Sequence, residues 1–312
     1  MKRYVSFVAQ AKHISGEHGG MHTSNRTAIL ALAAAGVLWG LTVPLSKVSL
    51  EWLGPAWLAV VRFAVAAPLL AVIGRAGLRR ALTPGIVAAG ALGFGTVIVL
   101  QNIGIERTSA GHAALVVGTA PVLVALIAAG LGESAARPIT WTGYGLALLG
   151  VALVAWAGGG GATVLGDAIV LASVAVSAVF VVIQPRLLAG RDPAAVTAVQ
   201  FAAGALLALP IAALVEGAPQ APTAVAPVVA VAALAVAGTL LAFWLFAFAQ
   251  ARVPAELAGA FVNLEPVVGA AAGWLVLGEQ AGTVQLAGAA AVLVGIALST
   301  TPPGRCPSPS PA

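Results

Sequence analysis

The apolar stretches of this chain contain very few side chains that can do chemistry, and the most informative of them is a glutamate. Glu265 lies inside a long run of Ala, Val, Leu and Gly, and Pro266 follows it directly. Because Pro266 has no N–H, the carbonyl of Val262 loses its helical donor and leaves an acceptor near the carboxylate. A carboxylate in apolar surroundings is costly and usually functional. We expect Glu265 to bind a proton or a polar substrate group; a protonated Glu265 that ties two helices together is the alternative.

Two polar residues precede Glu265 in the same stretch. Asn263 stands seven residues after Glu256, so a straight helix places both on one face. Glu265 lies about 200° round the helix from Asn263, so the three side chains cannot share one cavity without distortion. Asn263 could line a cavity or bond a neighbouring helix, whereas Glu256 lies in the first turn and complements the helix dipole.

Arg62 is a cation inside another apolar stretch. Its counterpart in the second half of the chain is Gln200, so the charge is not duplicated. An ion pair with Glu265 or Glu106 would offset the burial of the guanidinium. Snorkelling towards water, or contact with an anion at a gate, are the alternatives.

The remaining polar and aromatic candidates lie in other stretches. His112 stands one turn inside its stretch, where it could relay protons near neutral pH or donate to a backbone carbonyl. Gln101 and Asn102 end the preceding stretch and could line a vestibule or meet water. Trp39 and Trp244 lie well inside their stretches and are assigned to a cavity.

Composition identifies the surroundings of the chain. The 312 residues are 60% hydrophobic and 8% charged, and the mean hydropathy is +1.03. A soluble domain carries about 25% charged residues, so this composition indicates a protein embedded in a lipid bilayer. The basic residues stand at the ends of apolar runs, which argues against a nucleic-acid partner. A single cysteine, Cys306, excludes a disulfide framework and a multi-cysteine metal site, and no cofactor is expected.

Ten apolar segments are long enough to cross a bilayer as helices, which needs about 20 residues each. We number them segments 1 to 10, at 28–46, 55–74, 83–105, 108–131, 138–157, 165–185, 193–215, 224–249, 254–277 and 281–299. With the amino end inside, twelve Lys and Arg residues fall on the inner side and two on the outer side. This agrees with the positive-inside rule. We therefore expect a multi-pass protein of the inner or plasma membrane with both termini in the cytoplasm.

The segments divide the chain into two units. We expect a cytoplasmic extension at 1–27, a five-helix repeat at 28–157, a Gly-rich linker at 158–164, a second five-helix repeat at 165–299 and a disordered tail at 300–312. At an offset of 145 residues, Gly143 falls on Gly288 and Gly150 on Gly295. Five crossings is an odd number, so the second unit enters the bilayer from the opposite side. We predict two inverted five-helix repeats that rock about a site between them.

Prolines and glycines inside the segments predict how the helices bend and pack. Pro121 and Pro266 match at the same offset and are predicted hinges. Gly-x-x-x-Gly motifs at 36–40 and 269–273 allow close contact between helices. This contact could lie within the monomer or in a homodimer.

Several short motifs follow one another along the chain in a characteristic order. They are Trp39-Gly40 and Pro44-Leu45-Ser46-Lys47 in segment 1, Arg62-Phe63 in segment 2, Thr119-Ala120-Pro121 with Leu131-Gly132-Glu133, and Asn263-Leu264-Glu265-Pro266 with Leu277-Gly278-Glu279. In this order the chain resembles the drug/metabolite transporter superfamily, and within it the EamA-type ten-helix exporters. The resemblance covers about residues 28–299. It implies an inner-membrane carrier of small metabolites with a central cavity lined mainly by segments 1, 3, 4, 6, 8 and 9. The second half departs from the pattern, because Ala178-Val179-Phe180 stands where Trp39-Gly40 would repeat.

Two classes of function follow. The first is a secondary active transporter that exports a small metabolite, an amino acid or a drug-like solute, by alternating access, with proton coupling left open. The sequence has no Gly-x-x-x-x-Gly-Lys loop, so ATP drive within this chain is not supported. The alternative is a membrane-embedded enzyme acting on a lipid or polyprenyl substrate, although the clustered Asp, His or Ser of such chemistry is missing. The expected partners are a small-molecule substrate, the lipid bilayer and, in the coupled case, protons.

Overall fold

The computed structural model of the protein describes residues 21–130, 138–157, 162–250, 261–262, 264–280 and 282–299. Within these ranges the chain is helical and contains no β-strand, as predicted for an all-α membrane protein. The first 20 residues, the glycines at 158–161 and the tail from residue 300 lie outside the described residues, so the extension, most of the linker and the tail stay predictions.

The first half supplies segments 1 to 5. Segment 1 is helical over Met21–Gly40 and Thr42–Ser49, segment 2 over Pro55–Ile73, segment 3 over Pro84–Gly90 and Val97–Glu106 around a π-helix at Ala91–Thr96, segment 4 over Ala110–Val117 and Ala120–Gly130, and segment 5 over Pro138–Ala157. A short helix, Leu78–Ala81, connects segments 2 and 3. Segments 2, 3 and 5 each begin with a proline, where the missing N–H has no helical partner to lose.

The second half supplies segments 6 to 10. Segment 6 is helical over Val164–Leu188, segment 7 over Pro193–Ile211 with a π-helix at Ala212–Glu216, segment 8 over Val225–Ala233 and Ala242–Gln250 around a π-helix at Leu234–Leu241, segment 9 over Leu264–Leu275, and segment 10 over Thr283–Ser299. Segments 3 and 8 thus share a π-helical turn near their middle. The Asp192 carboxylate caps segment 7 by accepting from the N–H groups of Ala194 and Ala195.

Length and composition suit these helices to a bilayer. Six are long and apolar enough to cross it, namely Arg26–Ser49, Pro55–Ile73, Pro84–Glu106, Val164–Gln184, Pro193–Glu216 and Val225–Phe246. The described parts of segments 4, 5, 9 and 10 contribute the shorter apolar helices Ala110–Val124, Trp141–Val154, Leu264–Leu275 and Thr283–Gly295. Large apolar side chains on the surface, such as Trp156 at 87% and Leu214 at 85% exposure, would meet lipid. The protein is a multi-pass membrane protein.

Glycines bring segments 1, 4 and 9 into contact. A Cβ added to Gly36 would lie 2.6 Å from the carbonyl oxygen of Phe261, and one added to Gly269 would lie 2.5 Å from the Cβ of Ala114. A Cβ on Gly273 would lie 2.8 Å from the N–H nitrogen of Gly111. Both Gly-x-x-x-Gly motifs therefore pack against helices of the same chain.

Segments 5 and 10 pack with their backbones almost touching. A Cβ on Gly150 would lie 2.6 Å from the carbonyl oxygen of Gly288, and a Cβ on Gly295 would lie 2.6 Å from the carbonyl oxygen of Gly143. In lipid there is no hydrophobic drive between helices, so such close approach supplies the attraction. Elsewhere segment 2 packs on segment 7, segment 3 on segment 6, and segment 1 on segment 8.

Replacing a contact glycine of segment 5 is expected to destabilise the bundle. Gly150→Leu places a side chain where the backbone of segment 10 lies, and we expect the melting temperature in detergent to fall by about 5 °C or more. Gly145→Leu is the matched control in the same helix, because a Cβ on Gly145 has no atom within 4 Å. Equal melting temperatures for the two variants would show that the close contact is unimportant.

Candidate functional site

A cavity of about 420 Å³ lies between segments 1, 2, 3, 6, 7 and 8. Its lining residues are Trp39, Leu70, Ile73, Phe94, Phe180, Val181, Gln184, Leu188, Pro193, Ala194, Thr197, Phe243, Trp244 and Phe246. Ile73 is 57% exposed, so the cavity reaches the end of the bundle that carries loops 2–3 and 6–7. We call this end the cavity end. The wall includes segments 1, 3, 6 and 8, as the resemblance implies, and draws on segments 2 and 7 rather than on the described parts of segments 4 and 9.

Aromatic rings form the deep wall of the cavity. Phe94 stands at the centre, with its ring centroid 4.9 Å from that of Phe180, 4.8 Å from that of Phe201 and 6.2 Å from that of Phe243. Phe201 stacks on Phe63 at 4.9 Å, so the layer joins segments 2, 3, 6, 7 and 8. We call these five rings the aromatic layer. Edge-to-face pairs of this kind add to the energy of simple burial.

Trp39 extends the aromatic wall to segment 1. Its ring lies 5.2 Å from that of Phe243 and 4.9 Å from that of Phe246. Phe180, in the tripeptide that stands where Trp39-Gly40 would repeat, lines the cavity with its ring centroid 4.9 Å from that of Phe94. An aromatic side chain therefore lines the cavity from segment 6 as well as from segment 1.

One pair of amides provides the polar contact beside the cavity. Gln184 and Gln200 donate to each other through their amide groups, with N···O distances of 3.1 and 2.9 Å. Gln184 lines the cavity, while Gln200 is completely buried behind it. The sequence analysis selected Gln200 and missed Gln184, whose partner lies sixteen residues further along the chain and on another helix.

Hydrogen bonds between segments concentrate at the opposite end, where loops 1–2, 3–4, 5–6, 7–8 and 9–10 lie. We call it the polar end. The Lys47 ammonium donates to the carbonyls of Ile105, Glu106 and Thr108, at 2.9, 3.1 and 2.5 Å. A cation at the carboxyl end of a helix satisfies its last carbonyls and complements its dipole. Lys47 therefore fastens segment 1 to the end of segment 3.

A buried network at the polar end connects segments 4, 6 and 10. The N–H of Gly282 donates to Oε1 of Gln285 at 2.6 Å, so Nε2 of Gln285 is the donor towards Nε2 of His112 at 2.8 Å. His112 then has its proton on Nδ1 and donates to Asp167 at 3.1 Å. Thr108 donates to the other carboxylate oxygen of Asp167 at 2.5 Å. The network thus assigns the histidine tautomer: His112 donates to a carboxylate rather than to a backbone carbonyl, and its role as a proton relay stays a prediction.

Two carboxylates cap helices across the polar end. Glu216, at the end of segment 7, accepts from the N–H groups of Ala56 and Trp57 in segment 2, at 2.7 and 3.0 Å. Glu279, after segment 9, accepts from the N–H groups of Ala110 and Gly111 in segment 4, at 2.5 and 2.7 Å. Negative charge at a helix amino end is stabilising. Each carboxylate thus adds a polar link between two segments that also pack against each other.

The other predicted site residues lie in different surroundings. Arg62 is buried and donates through Nε to the Thr239 hydroxyl at 3.2 Å, rather than to Glu265 or Glu106. Asn102 is buried and donates to the carbonyl of Pro55 at 2.9 Å, so it connects segments 3 and 2 instead of lining a vestibule. Trp39 and Trp244 line the cavity as predicted. Gln101 is partly buried and Asn263 lies outside the described residues.

Glu265 is half-buried in the first turn of the described helix of segment 9. Its carboxylate makes no hydrogen bond or ion pair with the part of the chain that the structure describes, so the alternative of a tie to a neighbouring helix finds no partner there. Pro266 packs on segment 4, because a Cβ on Gly118 would lie 2.3 Å from its Cβ. Segment 4 is interrupted at Gly118 and Thr119, directly before the other predicted hinge, Pro121.

Charge separates the two ends. At the polar end the described charged residues are Lys47, Glu51, Glu106, Arg107, Asp167, Glu216 and Glu279. At the cavity end they are Arg26, Arg75, Arg79, Arg80, Arg186, Arg191 and Asp192. The end that is held together by carboxylates is therefore acidic, and the end with the cavity is basic.

The structure is that of a membrane protein whose apolar helices surround a cavity, and its match to a family model gives the transporter class. The model of the EamA-like transporter family matches residues 26–156 and again residues 164–301. The chain belongs to the EamA-like transporter family, which confirms the resemblance found in the sequence motifs.

Relatives agree with this assignment. A probable terminal-alkyne amino-acid exporter of Streptantibioticus cattleyicolor is 32% identical over 283 residues, which cover 87% of this chain and 92% of the exporter. An uncharacterised transporter of Archaeoglobus fulgidus is 26% identical over 269 residues, which cover 86% of this chain and 96% of that protein. A crystal structure that covers 88% of this chain and 96% of its own superposes with a TM-score of 0.63 at 22% identity, which supports the fold alone.

Removal of one cap at the polar end is expected to lower stability. Glu216→Ala leaves the first N–H groups of segment 2 without their acceptor, at a cost of about 1–2 kcal/mol and a few degrees in melting temperature. Glu51→Ala is the control, because Glu51 is an exposed carboxylate at the same end. A Glu216→Ala protein that melts with the control would contradict a stabilising cap.

Proposed function

We propose that the protein is a secondary active carrier that exports a small metabolite across the inner or plasma membrane by alternating access. The observation that carries this proposal is the contrast between its ends. One end holds an aromatic cavity of about 420 Å³, and the other is held together by hydrogen bonds between segments. A carrier with its site open to one side at a time needs this arrangement.

The two halves form inverted repeats in this proposal. The family model matches each half separately, and each of segments 2, 4 and 5 packs on its counterpart, 7, 9 or 10. The glycine contacts are also reciprocal. Gly143 meets Gly295 and Gly150 meets Gly288, and exchange of the halves at the offset of 145 turns the first contact into the second. A two-fold relation between the halves has this property, and ten helices in two units of five account for it.

The orientation follows from charge. The basic cavity end belongs in the cytoplasm under the positive-inside rule, and the acidic polar end belongs outside. Both termini then lie in the cytoplasm. In this orientation the cavity receives its solute from the cytoplasm, as export requires.

The cavity suits a small solute with an apolar part. Its volume lies at the lower end of the range for ligand pockets. Its wall is aromatic, with the Gln184 amide and the Thr197 hydroxyl as polar groups. An amino acid with an apolar side chain, or a drug-like solute of that size, matches this chemistry. The relative described as an exporter of terminal-alkyne amino acids supports the same class.

Proton coupling would use Glu265. This carboxylate is half-buried in an apolar segment, and no described residue forms a hydrogen bond or ion pair with it that would compete with binding of a proton. Pro121 and Pro266 are proposed as hinges, since Pro266 packs against Gly118, where the helix of segment 4 is interrupted shortly before Pro121. Either a monomer or a homodimer is compatible with this mechanism.

An enzyme is not favoured. The His112–Asp167 pair is the arrangement closest to a catalytic centre in the described part of the chain. The other ring nitrogen of His112 faces the Gln285 amide, where a nucleophile would have to stand. We therefore propose that the pair holds the polar end closed rather than catalyses a reaction.

Loss of the Glu265 carboxylate is expected to uncouple transport. In proteoliposomes, Glu265→Gln should abolish solute flux driven by a pH gradient, while insertion and melting temperature stay as in the wild type. Glu51→Gln, at an exposed site, should keep full flux. Flux by Glu265→Gln that still follows the pH gradient would contradict the coupling role.

Weakening of the buried network is expected to open the polar end. A reporter cysteine at Ser46, which is 2% exposed, should react slowly with an impermeant maleimide in a Cys306→Ser background. Asp167→Asn removes the charge that holds Thr108 and His112, and should increase labelling from outside several-fold. Asp192→Asn at the cavity end is the control. Unchanged labelling in Asp167→Asn would show that the network does not close this end.

A further inference from the structure

Arg62 is a buried cation with no anionic partner among the residues that the structure describes. It lies seven residues into segment 2, about 10 Å along the helix from Pro55, and is 6% exposed. A charge at this depth in a membrane protein is costly and is normally paired. The ion pairs of the described residues join Arg107 to Glu106 and His112 to Asp167, so neither involves Arg62.

The guanidinium is held by one edge. Its Nε donates to the Thr239 hydroxyl at 3.2 Å, and that hydroxyl donates its own proton to the carbonyl of Leu234 at 2.8 Å. The hydroxyl is therefore fixed as an acceptor for Arg62. The terminal nitrogens have no hydrogen-bond partner among the residues that the structure describes, and the side chain as a whole keeps 6% of its surface exposed.

The surroundings of Arg62 connect it to the cavity. Phe63, the next residue, belongs to the aromatic layer through its stacking on Phe201, and Phe94 of that layer lines the cavity. Segment 2 runs from the polar end to the cavity end, so Arg62 lies on the polar-end side of the layer. When the apolar part of a solute fills the cavity, a polar group of that solute that extends past the aromatic layer would meet Arg62.

We propose that Arg62 and Thr239 form the subsite for a carboxylate of the transported solute, an inference that rests on the proposed carrier function. The planar guanidinium fork matches a carboxylate with two parallel hydrogen bonds. A single cation neutralises a monoanion, whereas a phosphate with about two charges would need a second one. Lys47, a partly buried cation of the same half, already donates to three carbonyls. The carboxylate is thus the anion that the charge supports.

Thr239 acts as a positioning residue in this subsite. It is 1% exposed and lies in the π-helix of segment 8, so its hydroxyl reaches Arg62 from the helix that also carries Phe243. In the second half of the chain, the sequence counterpart of Arg62 is the neutral Gln200. Its amide is satisfied by Gln184, so no second anion site is formed there.

A pair of isosteric probes tests the subsite. The full chain is purified in detergent and its melting temperature is followed while phenylacetate or phenylacetamide is added at constant ionic strength. We expect stabilisation by the acid and much less by the amide in the wild type. Arg62→Gln should lose at least about tenfold in affinity for the acid alone. Arg75→Gln, which removes an exposed arginine beyond the end of the same segment, should behave as the wild type.

A second variant keeps the test decisive where Arg62→Gln fails to fold. Thr239→Val retains the cation and removes its anchor, and should weaken binding of the acid several-fold without affecting the amide. Thr239→Ser should restore it. Equal stabilisation by the two probes in the wild type, stabilisation by neither, or acid binding that survives these changes would each overturn the proposal.

Flux measurements on the same preparations separate this inference from the carrier function. Acid-selective binding without flux of any solute would leave the subsite and reject the carrier. Flux without preference for a carboxylate would leave the carrier and reject the subsite.

Discussion

Close approach of helix backbones at glycine is the contact on which this structure depends. Lipid removes the hydrophobic drive that packs helices in water, so attraction between segments has to come from short contacts. Between segments 5 and 10 the carbonyls of Gly143 and Gly288 lie where a larger residue would place its side chain. The same device joins segment 1 to segment 9 and segment 9 to segment 4. The aromatic cavity lies between segments 1, 2, 3, 6, 7 and 8, so segment 1 connects the glycine contacts with the cavity wall.

Polar bonds are used sparingly and are concentrated at one end. The terminal N–H and C=O groups of several helices are satisfied by a side chain from another segment, namely Lys47, Glu216 or Glu279. The backbone groups that a helix leaves unpaired at its ends thus form the hydrogen bonds between helices. A bond of this kind is strong when water is excluded and exchanges readily for water when it is admitted. The cavity end depends on aromatic contact instead. An end held by hydrogen bonds can open by exchange with water, whereas aromatic rings have to slide past one another.

Much of this was predictable from sequence, for reasons that are visible in particular residues. Long apolar runs give the helices, and the prolines at 55, 84, 138 and 193 give their starts, because these are backbone constraints that need no partner. Trp39 and Trp244 were placed at the cavity correctly. Asn102 was not: it binds the carbonyl of Pro55, a partner that only folding brings within reach. Ion pairing of Arg62 with Glu265 or Glu106 was likewise wrong.

The residues that sequence analysis missed share a cause. Their hydrogen bonds are made with side chains of other segments, and no spacing along the chain predicts these partners; the residues are Gln184, Asp167 and Gln285. The π-helices in segments 3 and 8 were also unforeseen. Each adds a residue to one turn, which ordinary periodicity does not reveal.

The π-helix of segment 8 decides which of the side chains that follow it face the cavity. The Thr239 hydroxyl donates to the carbonyl of Leu234, five residues earlier, so a side chain of the π-helix itself satisfies a carbonyl of the wide turn. Each residue of a helix turns the chain by about 100°. Wound as a regular α-helix throughout, the same sequence would turn every residue after this point by about a further 100°, so Ala242 would take the direction that Phe243 now has. The wide turn thus decides which side chains of segment 8 a solute meets, and a change between the π and α forms of this turn would exchange that wall without any change of sequence.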